Sequence, residues 1–182
     1  MQSVKIAFPE NANELTVEQY QRYLKVDDSN LTFQLLKACE IFLGLPLKEV
    51  LTYQSDGFFV MMTELLDMIG GKHQFQPIVE YNGVEYGFVP SLEELTLGEY
   101  VDLDDYLTDM DMLHKTVGVL YRPITQKLGQ RYTIEPYQPN DGYKDFPLGV
   151  ALGALVFFYD LSKELSEITQ TSLETQTPST QT

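Results

Sequence analysis

The sequence predicts a mainly α fold of the α+β class, with about six helices around a buried C-terminal helix, one β-hairpin at about 76–89 and short edge strands. Apolar residues recur at helical spacing along most of the chain. Asn82-Gly83 separates two β-type runs, and this dipeptide supplies the two positive-φ residues of a type I′ hairpin turn. LGVALGALVFFY at 148–159 is apolar on every side, which indicates a helix inside the core.

The first elements are a strand and a helix. Residues 3–8, SVKIAF, alternate apolar and polar side chains and predict a short strand that ends at Pro9. Thr16 and Gln19 form a capping-box pattern ahead of VEQYQRYLK, which predicts a helix.

Two longer helices and a single turn follow. The first is expected to begin at Ser29 or Asn30, to contain LTFQLLKACEIFL and to end at Gly44. LKEVL is typical of one further helical turn. Asp56 is the predicted cap of a helix over GFFVMMTELLDMI, which the glycine pair at 70–71 ends.

The hairpin opens the second half of the chain. An isolated hairpin is barely stable in water, so we expect it to lie on the N-terminal strand or on the helical core. Thr96 and Glu99 form a second capping box and begin the next helix. A further helix, MDMLHKTVGVLYR, is expected to end at Pro123.

The C-terminal part combines irregular segments with the central helix. RYTIEPY predicts a short extended piece, and the NDG sequence at 140–142 predicts a turn. The last helix should begin near Pro147, and its Gly149 and Gly153 would allow another helix to approach closely. Residues 1–168 are expected to form one domain, with 169–182 as a disordered polar tail.

Bulk composition excludes several functions. A net charge of −15 and a pI near 4.3 argue against nucleic-acid binding. The longest apolar run, 148–159, is about half of a membrane span, and the first residues lack the layout of a signal peptide. The single cysteine, Cys39, lies in an apolar helical pattern and is expected to be a buried small hydrophobe, which fits a reducing compartment.

The acidic run LTLGEYVDLDDYLTDMD, residues 95–111, is the most unusual stretch. On a helical wheel its apolar stripe consists of Leu97, Tyr100, Leu103 and Leu107. Three carboxylates, Asp102, Asp105 and Asp109, fall on the opposite face. Asp104 lies at the margin of the stripe, and its expected partner is the nearest base in sequence, namely Lys115, Arg122 or Arg131. The run is therefore predicted to be an amphipathic helix with an acidic outer face.

Catalytic and metal-binding patterns are weak. Counted from Asp102, the positions where an EF-hand loop needs Gly and Glu hold Leu107 and Leu113. Asp111 and His114 have the spacing of one metal-binding element, but di-metal sites need that element twice. We therefore expect no catalytic residues, no metal and no cofactor, with a small metal-dependent hydrolase at these two residues as the remote alternative.

Four strings cover roughly residues 78–166, namely VEYGFVPSLEELTLGEYVDLDDYL, LHKTVGVLYRPIT, YTIEPY and PLGVALGALVFFYDLSKEL. They resemble proteins from the structural gene clusters of tailed bacteriophages, described as tail assembly chaperones or as uncharacterised structural proteins. The resemblance implies a non-enzymatic role in virion assembly, in the host cytoplasm. The partner would be a tail or tape-measure protein, another virion protein or further copies of the chain. The alternative is a structural subunit, such as a head-tail connector or ring, that remains in the virion.

The predicted partner-binding surface combines acidic and aromatic side chains of the acidic run, because aromatic residues beside charge are good interface anchors. It comprises Glu99, Tyr100, Asp102, Asp105, Tyr106 and Asp109.

Overall fold

A computed structural model describes residues 7–129 and 131–175, and over these residues the chain has seven α-helices and one four-stranded antiparallel sheet. The predicted α+β class is confirmed. The helices are α1 Val17–Leu24, α2 Leu31–Leu43, α3 Leu47–Val50, α4 Ser55–Gly70, α5 Leu97–Leu107, α6 Leu113–Leu120 and α7 Leu148–Thr175. The strands, in sheet order, are β1 Ile78–Tyr81, β2 Val84–Phe88, β3 Tyr121–Leu128 and β4 Arg131–Ile134. The predicted strand at 3–8 falls mostly outside the described residues.

Local signals placed most helix ends correctly. At α1, Gln19 N–H donates to Thr16 Oγ1 at 3.2 Å and Thr16 N–H donates to Gln19 Oε1 at 2.8 Å, which completes the predicted capping box. Asn30 caps α2, and Gly44 ends it with a φ of 66°. The predicted cap of α4 is wrong. Gln54 is the N-cap, and Asp56 lies in the first turn.

The hairpin has the predicted turn, since Asn82 and Gly83 have φ angles of 52° and 75°. The hairpin lies on the helical core, one of its two expected supports, since the Phe88 ring of β2 packs against Phe157 of α7 with centroids 5.7 Å apart. In addition, β2 pairs with β3. The helix expected to reach Pro123 ends at Leu120, and Tyr121 begins β3 with extended φ and ψ of −118° and 127°. Arg122 precedes a proline, which disfavours helical geometry, and pairs with Gly87 of β2.

The first turns of α7 pass through the core, as predicted, with Leu148, Val150, Ala151 and Ala154 at most 1% exposed. Side chains then emerge, so that Val156 is 55% and Tyr159 is 72% exposed. The two glycines of α7 allow close approach, but not of another α-helix. A Cβ at Gly153 would lie 2.6 Å from the Gln74 carbonyl oxygen, and one at Gly149 would overlap the Asn13 side chain.

The remaining predictions concern Cys39, the short turns and the C-terminus. Cys39 is fully buried, as predicted. Gly142 N–H donates to Asn140 Oδ1 at 2.9 Å, which confirms the NDG turn. Helix α7 extends to Thr175 and so includes 169–175, the first half of the predicted tail, whereas 176–182 lie outside the described residues.

Candidate partner-binding site

Helix α5 separates two grooves of different chemistry. On one side, α5 faces β4 and the segment after it across a groove of about 1060 Å³. We call it the polar groove because its lining includes the charged residues Glu99, Asp102, Arg122, Arg131 and Glu135. On its other side, α5 faces α7 across an apolar groove of about 600 Å³. The six residues predicted to bind a partner are therefore divided between different surroundings.

Glu99 lies on the polar side and is only 5% exposed. Its Oε1 accepts a hydrogen bond from Arg122 Nη1 at 2.6 Å, and its Oε2 accepts from Thr96 N and Thr96 Oγ1, both at 2.7 Å. Burial raises the pKa of this carboxyl, but the Thr96 hydrogen bonds and the Arg122 charge together outweigh it, so the pKa is lowered. Glu99 thus joins the capping box to a buried ion pair, and its carboxylate is not on the accessible surface.

Asp102 and Tyr106 are also engaged within the fold. Tyr137 donates to Asp102 Oδ2 at 2.8 Å, and this contact ties the segment after β4 to α5. The Lys115 ammonium lies 5.6 Å from the centroid of the Tyr106 ring. Both side chains are half-buried, so at most their outer edges are accessible to a partner.

Tyr100, Asp105 and Asp109 are the exposed members of the predicted set. Tyr100 is 59% exposed and lines the apolar groove. The helical wheel grouped Asp109 with Asp102 and Asp105, but α5 ends at Leu107 and does not include Asp109. Asp109 caps the short 3-10 turn Met110–Met112, with its Oδ1 accepting from Asp111 N at 2.8 Å.

The wheel also misplaced the apolar stripe. Leu103 is 1% exposed as expected, but Leu97 is 80% exposed. The buried side chain in the first turn of α5 is Glu99, which pairs with Arg122 of β3. Asp104 is exposed and lines the apolar groove, so it does not need the buried basic partner that was expected. Of the three bases named as possible partners of Asp104, Arg122 instead pairs with Glu99.

Apolar side chains of two helices line the groove between α5 and α7. They are Tyr100, Leu103 and Leu107 of α5 and Leu155, Val156, Phe158 and Tyr159 of α7, with Asp104 as the charged lining residue. Leu97 and Val101, at 80% and 50% exposure, extend the exposed apolar surface along α5. The α7 residues were missed because the all-round apolar pattern predicted burial. The length of the apolar run 148–159 could have indicated these exposed residues, because the run continues past Ala154, its last buried residue.

The two residues of the metal alternative, Asp111 and His114, contact other side chains of the chain. Asp111 pairs with Lys25 at 3.2 Å, whereas His114 contacts Gln21 Nε2 through Nδ1 at 3.1 Å and Asp141 through Nε2 at 3.4 Å. No group of three or more His, Cys, Asp and Glu side chains in the described part of the chain is arranged to hold a metal ion.

Comparisons with protein-family models, with curated proteins and with solved structures found no match for this chain. Over residues 7–129 and 131–175, no helix combines the length and the apolar character that crossing a membrane requires.

Proposed function

We propose that this chain is a non-enzymatic bacteriophage morphogenesis protein, a tail assembly chaperone that holds an apolar segment of a tail or tape-measure protein. The observation that carries the proposal is the apolar groove between α5 and α7, where Tyr100, Val156 and Tyr159 are 59%, 55% and 72% exposed. Contiguous exposed apolar surface of this kind is typical of protein-binding sites. The resemblance of residues 78–166 to phage structural-cluster proteins supplies the biological setting.

The dimensions and chemistry of the groove favour an amphipathic helix as the bound segment. Two helices form its walls, and such grooves accept the apolar face of a third helix. Asp104 on the groove and the net charge of −15 favour a partner that carries basic residues beside its apolar face. Binding would take place in the host cytoplasm, before the partner enters the virion.

The test is recovery of a named tail protein from phage-infected lysates by the tagged chain, with identification by mass spectrometry. Tyr100→Ser with Val156→Ser should remove most of the recovery without loss of stability, because both side chains are largely exposed. Leu128→Ser is the matched control, since Leu128 is 85% exposed on β3 and does not line the groove.

Purified virions separate the proposal from its structural alternative. A chaperone should be missing from them, whereas a connector or ring subunit should be present at a fixed stoichiometry. Finding the chain in virions, or equal recovery of the tail protein by the groove variant, would overturn the chaperone proposal.

A further inference from the structure

A third pocket, of about 320 Å³, adjoins the polar groove, lies away from the apolar groove and is built around three tyrosines, Tyr81, Tyr86 and Tyr143. The Tyr86 ring contacts both of the others. Its centroid lies 5.5 Å from that of Tyr81 and 6.0 Å from that of Tyr143, and both pairs meet edge to face. We call this site the tyrosine pocket. Its volume is at the lower end of the range for ligand pockets, so it suits one extended side chain or a small molecule.

Three distant parts of the sequence form the tyrosine pocket. The β1–β2 hairpin supplies Tyr81 and Tyr86, and the segment between β4 and α7 supplies Tyr143. Gly118 of α6 allows Tyr143 to approach, because a Cβ there would lie 3.0 Å from the Tyr143 ring. The Tyr81 hydroxyl contacts the Gly142 carbonyl at 3.4 Å. The pocket is therefore part of the folded architecture and not a chance surface depression.

A carboxylate lies at the edge of the tyrosine pocket. Glu135 is exposed and lines the pocket. Burial is the main cause of the raised pKa values of Tyr81 and Tyr86, but the charge of Asp145 adds to the first and that of Glu135 to the second. Burial and the neighbouring Tyr86 raise the pKa of Tyr143 to about 12, although a hydrogen bond with Asn140 and the charge of Arg122 oppose the rise in part. The hydroxyls thus stay protonated and the rings stay neutral at physiological pH.

Arg122 is the one cation among the residues that line the tyrosine pocket, and Glu99 neutralises it at 2.6 Å. Its Nε has no hydrogen-bond partner within the described residues, although the atom is buried. An anion would be attracted by Arg122, whose charge Glu99 already compensates, and would be repelled by Glu135. A cation would meet Glu135 and the tyrosine rings, and aromatic rings attract ammonium and guanidinium groups.

We propose that the tyrosine pocket binds the alkylammonium or guanidinium group of a lysine or arginine side chain on the partner protein. This proposal rests on the proposed function, because it assigns a charged anchor to the partner that the apolar groove would hold. Such an anchor supplies specificity that an apolar groove alone lacks, since a neutral side chain in the pocket would not gain the attraction of the Glu135 charge.

The test uses Nα-acetyl-lysine methylamide, which keeps its side-chain ammonium group, as a probe on the full chain labelled with ¹³C-tyrosine. Saturable shifts confined to the Tyr81, Tyr86 and Tyr143 ring signals are expected, with much weaker effects from the uncharged norleucine isostere. Equal effects of the two probes, or shifts spread over other tyrosines, would overturn the proposal. Butylammonium is the third arm. Binding of butylammonium without binding of the lysine amide would make a free amine the ligand and overturn the assignment to a partner side chain.

Variants refine the test. Glu135→Gln should weaken the lysine probe about twofold to fivefold, and folding is not at issue because Glu135 is exposed. Glu64→Gln, an exposed carboxylate of α4, is the matched control and should leave affinity unchanged. Tyr86→Phe should retain binding and Tyr86→Leu should reduce it, because only phenylalanine keeps the ring. An unchanged affinity in Glu135→Gln contradicts the proposal. Since the probe bypasses the apolar groove, its failure would leave the chaperone proposal standing.

Discussion

At the scale of single residues, Glu99 and Arg122 form the most buried ion pair among the described residues. Their side chains are 7% and 10% exposed, and the pair joins the start of α5 to β3. Charges that are removed from water depend on each other, because either one alone would be buried without compensation. The sequence offered Arg122 as a candidate partner of Asp104, but the wheel could not show that Glu99 is the carboxylate that points inward.

We predict that Glu99→Gln lowers the free energy of unfolding by about 3 kcal/mol, because Arg122 is left as an uncompensated buried charge. Urea denaturation measures the change. Glu85→Gln is the control. Its partner Lys127 lies at 2.8 Å, but the side chains are 42% and 52% exposed, so the loss should be below about 1 kcal/mol. Similar losses in the two variants would show that the buried pair contributes no more than a surface pair.

At the scale of elements, the sequence predicted the helix caps and the turn that depend on residues close together in the chain. It did not predict features that depend on contacts between distant segments. Both capping boxes and the hairpin turn appear where the sequence placed them, because three or four consecutive residues determine each. The change from α6 to β3 was missed, because it depends on the pairing of Arg122 with Gly87 of β2. The tyrosine pocket was missed for the same reason, since its residues come from three separate elements.

We predict that Gly153→Ala lowers the free energy of unfolding by about 1–3 kcal/mol, since α7 or the Gln74 segment must shift to accept the methyl group. The added Cβ would lie 2.6 Å from the Gln74 carbonyl oxygen. Gly57→Ala is the matched control in α4, with nothing within 4 Å of the added atom, and it should stabilise by about 0.5–1 kcal/mol. Thermal or urea unfolding compares the two. A stabilised Gly153→Ala variant would mean that the two segments are not in contact.

At the scale of the whole molecule, the two grooves beside α5 and the tyrosine pocket have different roles in the proposed function. The polar groove contains contacts that hold the fold together, including Glu99 with Arg122 and Asp102 with Tyr137. The apolar groove has exposed surface that no described residue covers, and the tyrosine pocket offers a charged anchor. Of the six predicted residues, Tyr100 is the one that both lines the apolar groove and is largely exposed.

Acidification should destabilise the whole fold, beginning at His114. This ring is 7% exposed and lies between Gln21 of α1 and Asp141 of the 140–142 turn, so it connects three parts of the molecule. The Gln21 amide nitrogen can only donate, so Nδ1 accepts and the neutral ring carries its proton on Nε2, toward Asp141. Burial is the main cause that lowers the His114 pKa. The Lys144 and Lys115 charges add to it, and Asp141 opposes them in part.

The direction of the pH effect follows from this lowered pKa. Because His114 binds a proton less readily in the folded chain than at its ordinary pKa of 6.5, its contribution to stability is fully present above pH 6.5. That contribution is lost as the pH falls from 6.5 toward the lower pKa of the folded state. Glu99 adds a second loss below its ordinary value of 4.5, because its folded-state pKa is also lowered.

We therefore predict that the urea midpoint falls between pH 7 and pH 5, and that His114→Gln removes most of this slope whatever its effect on the midpoint at pH 7. His73→Gln is the control, since His73 contacts the Ile69 carbonyl at 2.8 Å in another part of the fold. This variant should keep the slope of the unmodified chain. A slope that survives in His114→Gln, or a midpoint that rises on acidification, would contradict the inference that the neutral ring of His114 holds α1, α6 and the 140–142 turn together.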